Sequence, residues 1–309
     1  MIHRRAFLQS AAAGLAAAAL PPAAAASPTR IIDAHTHFYD PTRPQGVPWP
    51  APNETVLYKP TYPDRYLANV KPFHVDGTVA VEASPWLEDN LWLLNVADKN
   101  RLIKAIVGHI EPGHPDFKDA LNRFSKHPLF RGIRIGAGSV PRVLARPEML
   151  ADLNQLSGKD LSLDILIDQP TWFADIARLA GRLPDLRIIV GHLPLDPPQD
   201  ASGRAAYTES LRALGGHPRV YAKVSGVVRR INGRVPADVA FYRPGLDELW
   251  AVFGPDRVIY ASNWPACDTT APYSVVYPIV RDYLAGKGQD LNEKYFWKNS
   301  LAAYKWIER

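Results

Sequence analysis

The sequence predicts an α/β protein, a single-domain (β/α)8 TIM barrel. Three observations carry this. Eight short runs rich in β-branched residues recur along the chain. The stretches between them read as helices, and strand–helix alternation is the pattern of a parallel sheet. The span from residue 27 to 309 suits one α/β barrel. A doubly wound open sheet is the competing arrangement, and no Gly-rich dinucleotide turn supports it.

The runs are RIIDAH (30–35), GTVAVEA (77–83), IKAIVGHI (103–110), RGIRIG (131–136), LSLDILID (161–168), LRIIVGH (186–192), RVYAKVSG (219–226) and RVIYASN (257–263). Helices are expected over 86–100, 149–158 and 172–183. In the last, apolar Phe173, Ile176, Ala177 and Ala180 recur with helical period. Residues 38–76, rich in proline and aromatics, read as a long loop or small subdomain over the barrel mouth. The final stretch, KYFWKNSLAAYKWIER, reads as an amphipathic helix that closes the barrel.

The first 26 residues fall outside this pattern. Arg4 and Arg5 precede Phe7 and Leu8, an Ala/Leu-rich run covers 11–20, and small residues lead to Ala26. That is the layout of a twin-arginine export signal, with cleavage expected near Ala26 and a periplasmic destination. The apolar run is shorter than the roughly 20 residues a membrane-spanning helix needs, and no later stretch is longer. The remainder carries 34 basic and 31 acidic residues, a net charge of +3. This is too weak to point to nucleic acid or an anionic membrane. The lone Cys267 excludes an internal disulfide. It reads as a small buried hydrophobe rather than a nucleophile.

In such barrels chemistry sits at the C-terminal strand ends. There the sequence places His35 and His37, then His109, Arg134, Asp168, His192, Lys223 with Ser225, and Asn263. Alternate residues of a strand share a face, so His35 and His37 point the same way, with Asp33 of the same parity. Two neutral imidazoles so spaced suit one divalent ion, zinc above all, with His192 as third ligand. Each ring could equally hydrogen-bond in place. Trp49, Trp86, Trp172 and Trp264 offer flat faces for a sugar ring or a planar pyrone, or for packing helices onto the barrel.

The segments IIDAHTHFYDP, VDGTVAVEA, LFRGIRIG, LRIIVGHLP, VYAKVSG and FGPDRVIYASNWP occur in order. Together they resemble the amidohydrolase-related lactonase group of the amidohydrolase superfamily, over residues 30–307. The resemblance implies a site of His35, His37, His192 and residue 263. The superfamily pattern has aspartate at that last position, where it binds metal and takes the proton from attacking water. Here it is Asn263, an amide that accepts a metal weakly and cannot act as a base. Asp164 or Asp168 stands where metal-rich members carry a strand-five histidine, and Arg134 replaces a lysine. A binuclear centre is therefore not expected. One zinc ion or metal-free operation is.

The reading is a hydrolase that opens the lactone ring of a sugar acid or an aromatic-derived carboxylate, a small-molecule substrate. A metal-dependent decarboxylase and a catalytically impaired ligand-binding barrel are the alternatives. Arg134 would hold a carboxylate or developing oxyanion through its fork of N–H groups, or serve as a rim ion pair. The base is expected among His109, Asp168, His192 and Asp268, although Asp268 could instead cap the next helix. Trp86, Trp172, Trp264, His109, Asp168 and Asp268 are the expected substrate contacts.

Overall fold

The computed structural model describes residues 28–309; the expected signal segment lies outside the described residues. Eight parallel strands form one sheet in chain order: β1 (Ile32–Thr36), β2 (Gly77–Val81), β3 (Ile103–Gly108), β4 (Phe130–Gly136), β5 (Ser162–Leu166), β6 (Arg187–Val190), β7 (Val220–Val224) and β8 (Val258–Tyr260). Each coincides with one of the eight predicted runs. A parallel bridge between Thr36 and Trp264 brings β1 to the chain leaving β8, where His37 N donates to Trp264 O at 2.8 Å. The result is a nearly closed (β/α)8 barrel.

A helix or helix pair follows every strand, as at Asp89–Asp98 after β2, Pro147–Gly158 after β4 and Phe173–Arg182 after β5. The helix at Phe173–Arg182 buries Phe173, Ile176, Ala177, Leu179 and Ala180 against the strands. Full burial of a Phe, Ile or Leu contributes about 1.5–3 kcal/mol each, so this stripe holds the helix in place far more than its propensity does.

The apolar residues form two layers. The larger lies between strands and helices. The inner one fills the barrel with Ile32, Ala34, Val79, Val81, Ala105, Val107, Ile189 and Ile259, and is closed below by Ala303, Tyr304 and Trp306. The C-terminal stretch thus plugs the end opposite the site. Its last helix spans Asn299–Tyr304, with Arg131 Nε donating to Tyr304 O at 3.0 Å. The proline-rich stretch after β1 is a long loop, pinned by paired hydrogen bonds between Tyr39 and Thr61, followed by a helix at Pro63–Val70.

One parity expectation is corrected here. The pairing of β1 with β2 shifts register between Asp33 and Thr36. This irregularity resets the alternation. Ile32 and Ala34 face the interior, yet so do His35 and His37. Asp33 faces the outer layer, where its carboxylate accepts from Tyr66 OH (2.8 Å), Ser262 Oγ (2.5 Å) and Ser262 N (2.8 Å). Burial raises its pKa above the ordinary carboxylate value.

Candidate active site

A cavity of about 400 Å³ opens at the C-terminal strand ends, lined by His37, Trp49, Glu82, His109, Arg134, His192 and Asn263 among others. His35 and His37 are buried at its base. His37 Nδ1–H donates to Val81 O at 3.0 Å, which makes its Nε2 an acceptor. His35 Nε2 lies 3.1 Å from it and donates. The His192 ring packs edge-on to His35 with centroids 5.1 Å apart.

His192 and Asn263 leave their strands in the same way. Each takes φ of 61°, in the left-handed region, which turns the chain sharply and presents the side chain to the cavity. Ser225 Oγ accepts from His192 N at 2.8 Å and anchors that turn.

All three histidines are held neutral. Burial is the main cause, followed by positive neighbours: Lys223 first for His35, Arg134 first for His37 and for His192. His192 is lowered to about 3. Lys223 itself lies beneath the site, wholly buried, with Nζ 2.5 Å from Asp164 Oδ2; Tyr304 OH donates to the same oxygen at 2.9 Å. Asp164, one of the two strand-five candidates, is therefore spent on the barrel floor.

Of the buried side-chain polar atoms that make no hydrogen bond among the described residues, three belong to this cluster: His35 Nδ1, His192 Nε2 and Asn263 Oδ1. Buried polar groups are rarely left so. Two of these three residues line the cavity, so a ligand there would satisfy them.

The fit of a metal ion is incomplete. The 3.1 Å between the facing nitrogens of His35 and His37 matches two ligands on one zinc, roughly 3–3.5 Å apart. No group of three or more His, Cys, Asp or Glu side chains is arranged to hold an ion among the described residues. The cluster includes no carboxylate, and its charged neighbours Lys223 and Arg134 are cations.

Arg134 lines the cavity and is also a rim ion pair. Its Nε donates to Glu82 Oε1 at 2.7 Å, and Nη2 to the Glu82 carbonyl at 2.8 Å. His109 lines the cavity with Nδ1–H directed at Arg134 O (3.2 Å) and Nε2 3.6 Å from Glu111.

Other expected contacts are corrected. Trp264 is fully buried among Phe38 and Tyr66, with ring centroids 6.2 and 5.1 Å away; its face belongs to the core. Trp86 is exposed and outside the cavity lining. Trp172 is also outside, and its Nε1–H donates to Asp168 at 3.0 Å, which turns that carboxylate to the surface. Asp268 is outside the cavity lining, beside Cys267, its pKa raised by burial. The tryptophan that does reach the cavity is Trp49, edge-on to His37 and Tyr39 at 5.4 and 5.3 Å.

Glu82, which is not among the expected site residues, also lines the cavity. Its signal in the sequence is its place in the run GTVAVEA, directly after Val81, the last residue of β2.

Fold and site together define a (β/α)8 barrel with a histidine-lined pocket at its C-terminal mouth. The chain belongs to the amidohydrolase family, whose model it matches over residues 32–306. It is 30% identical to an L-fucono-1,5-lactonase of Burkholderia ambifaria, across 76% of this chain and 80% of that protein. It is 23% identical to an L-rhamnono-gamma-lactonase of Scheffersomyces stipitis, across 89% of this chain and 98% of that one. Among solved structures, an amidohydrolase from Burkholderia multivorans with bound zinc superposes with a TM-score of 0.79 at 21% identity, covering 90% of this chain and all of that one.

Proposed function

We propose that this protein is a lactonase: it adds water to the carbonyl of a cyclic ester and opens the ring. The single observation that carries the reading is the pair of unengaged polar side chains, His192 and Asn263, presented to the cavity by matching left-handed turns. Similarity to two sugar-lactone hydrolases supports it. The ring lies over His37 with Trp49 against one face. His192, held neutral, donates its Nε2–H to the carbonyl oxygen. The Asn263 amide, turned so that its NH₂ faces the same oxygen, is the second donor. Both bonds strengthen as negative charge develops on that oxygen, which is the source of rate.

Zinc belongs to this proposal as an occupant and not as a step. His35 and His37 would hold it, and it would polarise the same carbonyl. The decarboxylase alternative fits less well, because that chemistry depends on an ion for which the site offers an incomplete ligand set. We also propose export by the twin-arginine route, on the strength of Arg4, Arg5 and the small residues before Ser27.

The test is hydrolysis of a panel of aldono-1,4- and 1,5-lactones and a pyrone dicarboxylate, followed by proton release, with bound metal measured on the same preparation. Turnover of at least one lactone is expected. No turnover with any of them, with or without added zinc, would refute the reading.

A further inference from the structure

We propose that Glu82 is the catalytic residue that accepts the proton of the attacking water, in place of the carboxylate that position 263 lacks. The inference rests on the lactonase reading above. Among the described residues that line the cavity, Glu82 is the one carboxylate. The other acidic candidates are engaged elsewhere. Asp33 is bound to Ser262 and Tyr66, Asp164 to Lys223 and Tyr304, and Asp168 to Trp172, while Asp268 is outside the cavity lining, beside Cys267. His109 spends Nδ1–H on a carbonyl and turns Nε2 towards Glu111. His192 and Asn263 are committed to the carbonyl oxygen.

The geometry of Glu82 suits a base. It directly follows β2, between His37, which follows β1, and His109, which follows β3. Arg134 grips it twice, through Oε1 and through its own backbone carbonyl. That grip fixes the side chain and leaves Oε2 without a hydrogen bond among the described residues. The other charges nearby, Arg43 and Asp89 in the adjoining cleft, are paired to each other at 2.9 Å and do not compete for it.

In the step itself, water oxygen forms a bond to the carbonyl carbon while one water proton passes to Glu82. The tetrahedral oxyanion is held by His192 and Asn263. As it collapses, the bond from the carbonyl carbon to the ring oxygen breaks. The ring oxygen leaves with the electron pair and takes the proton back from Glu82. The product is the open hydroxy acid, and Glu82 is again a carboxylate.

The test uses the full chain and a lactone that the parent protein turns over. Glu82→Gln should lower kcat on the order of 10²–10⁴-fold, with KM within about threefold of the parent. Glu82→Ala, which leaves space, should recover part of its turnover with added formate, and Glu82→Gln should not. Arg134→Gln controls for a role in holding the arginine. If Glu82 only positioned Arg134, then Glu82→Gln and Arg134→Gln would lose equally, their double variant would lose no more, and formate would restore nothing. That pattern, or turnover by folded Glu82→Gln within about threefold of the parent, would overturn this inference and leave the lactonase reading intact. A parent protein that hydrolyses no lactone would overturn both.

Discussion

The ammonium of Lys223 and the carboxylate of Asp164 meet at 2.5 Å inside the barrel, on strands separated by one neighbour, with both side chains buried. Three groups share this floor, since Tyr304 from the C-terminal plug donates to the same carboxylate oxygen. The pair couples the bottom of the barrel to the site above it, because Lys223 is a charge that holds His35 neutral.

Breaking that pair should cost stability. Asp164→Asn leaves an ammonium buried with no counter-charge, a loss of about 3–5 kcal/mol. Replacing both partners with apolar residues of similar size, as in Asp164→Leu with Lys223→Met, should return much of it. Urea unfolding of the three proteins measures the difference. Equal stability of the single and double variants would show that the buried charge is not what costs.

The tryptophans should separate cleanly by role. Trp264→Ala empties a core position and should cost about 3–5 kcal/mol. Trp172→Ala removes a half-buried ring that packs on the edge of the core and should cost less, about 1–2 kcal/mol. Trp49→Ala should leave the melting temperature nearly unchanged and weaken lactone binding, seen as a raised KM. A Trp49 variant with unaltered KM would remove the ring-stacking role.

Cys267 should be a slow thiol. Burial first, then the neighbouring Asp268, pushes its pKa well above the ordinary value. Thiolate is the reacting form, so little of it exists at pH 8. Reaction with an aromatic disulfide reagent should be at least about tenfold slower in the folded protein than in urea. Equal rates would mean that the thiol is open to solvent in the fold.

The eight strands were legible because each is a short β-branched run, and strand ends are where histidines are exposed to a shared pocket. His35, His37 and His192 followed from that alone. Asp33 did not, because a register shift of β1 against β2 is set by contacts with residues 45 positions away. Trp264 did not, because its burial depends on Phe38 and Tyr66 from the long loop and the helix after it. Arg134 was readable as a pocket residue. Its partner Glu82 is 52 residues distant in sequence, and it stands next to last in a run whose strand residues, Gly77 to Val81, are all buried.

The export reading predicts a processed N-terminus. Protein recovered from the periplasm of a host with twin-arginine export should begin near Ser27, and replacing Arg4 and Arg5 with Lys should trap the precursor inside. N-terminal sequencing of both fractions decides it. Exported protein that begins at Met1 would rule the signal out.

The sharpest consequences concern Asn263. Its Oδ1 makes no hydrogen bond to the protein, and its backbone holds φ of 61°, a conformation that Asn and Asp tolerate better than most residues. Asn263→Asp should therefore fold with little strain. It adds a negative charge beside His37 and His192, where the ligand set lacks one, so zinc should bind more tightly. Elemental analysis after dialysis against a limited zinc concentration reads this directly. Asn263→Ala tests the other role. Loss of a donor to the developing oxyanion should lower kcat on the order of 10²-fold. The alanine also bears a left-handed backbone at a cost of about 1–2 kcal/mol, so the melting temperature must be measured alongside. A zinc content in Asn263→Asp no higher than in the parent would show that residue 263 does not face the ion. Turnover by folded Asn263→Ala equal to the parent would show that its amide does not face the carbonyl.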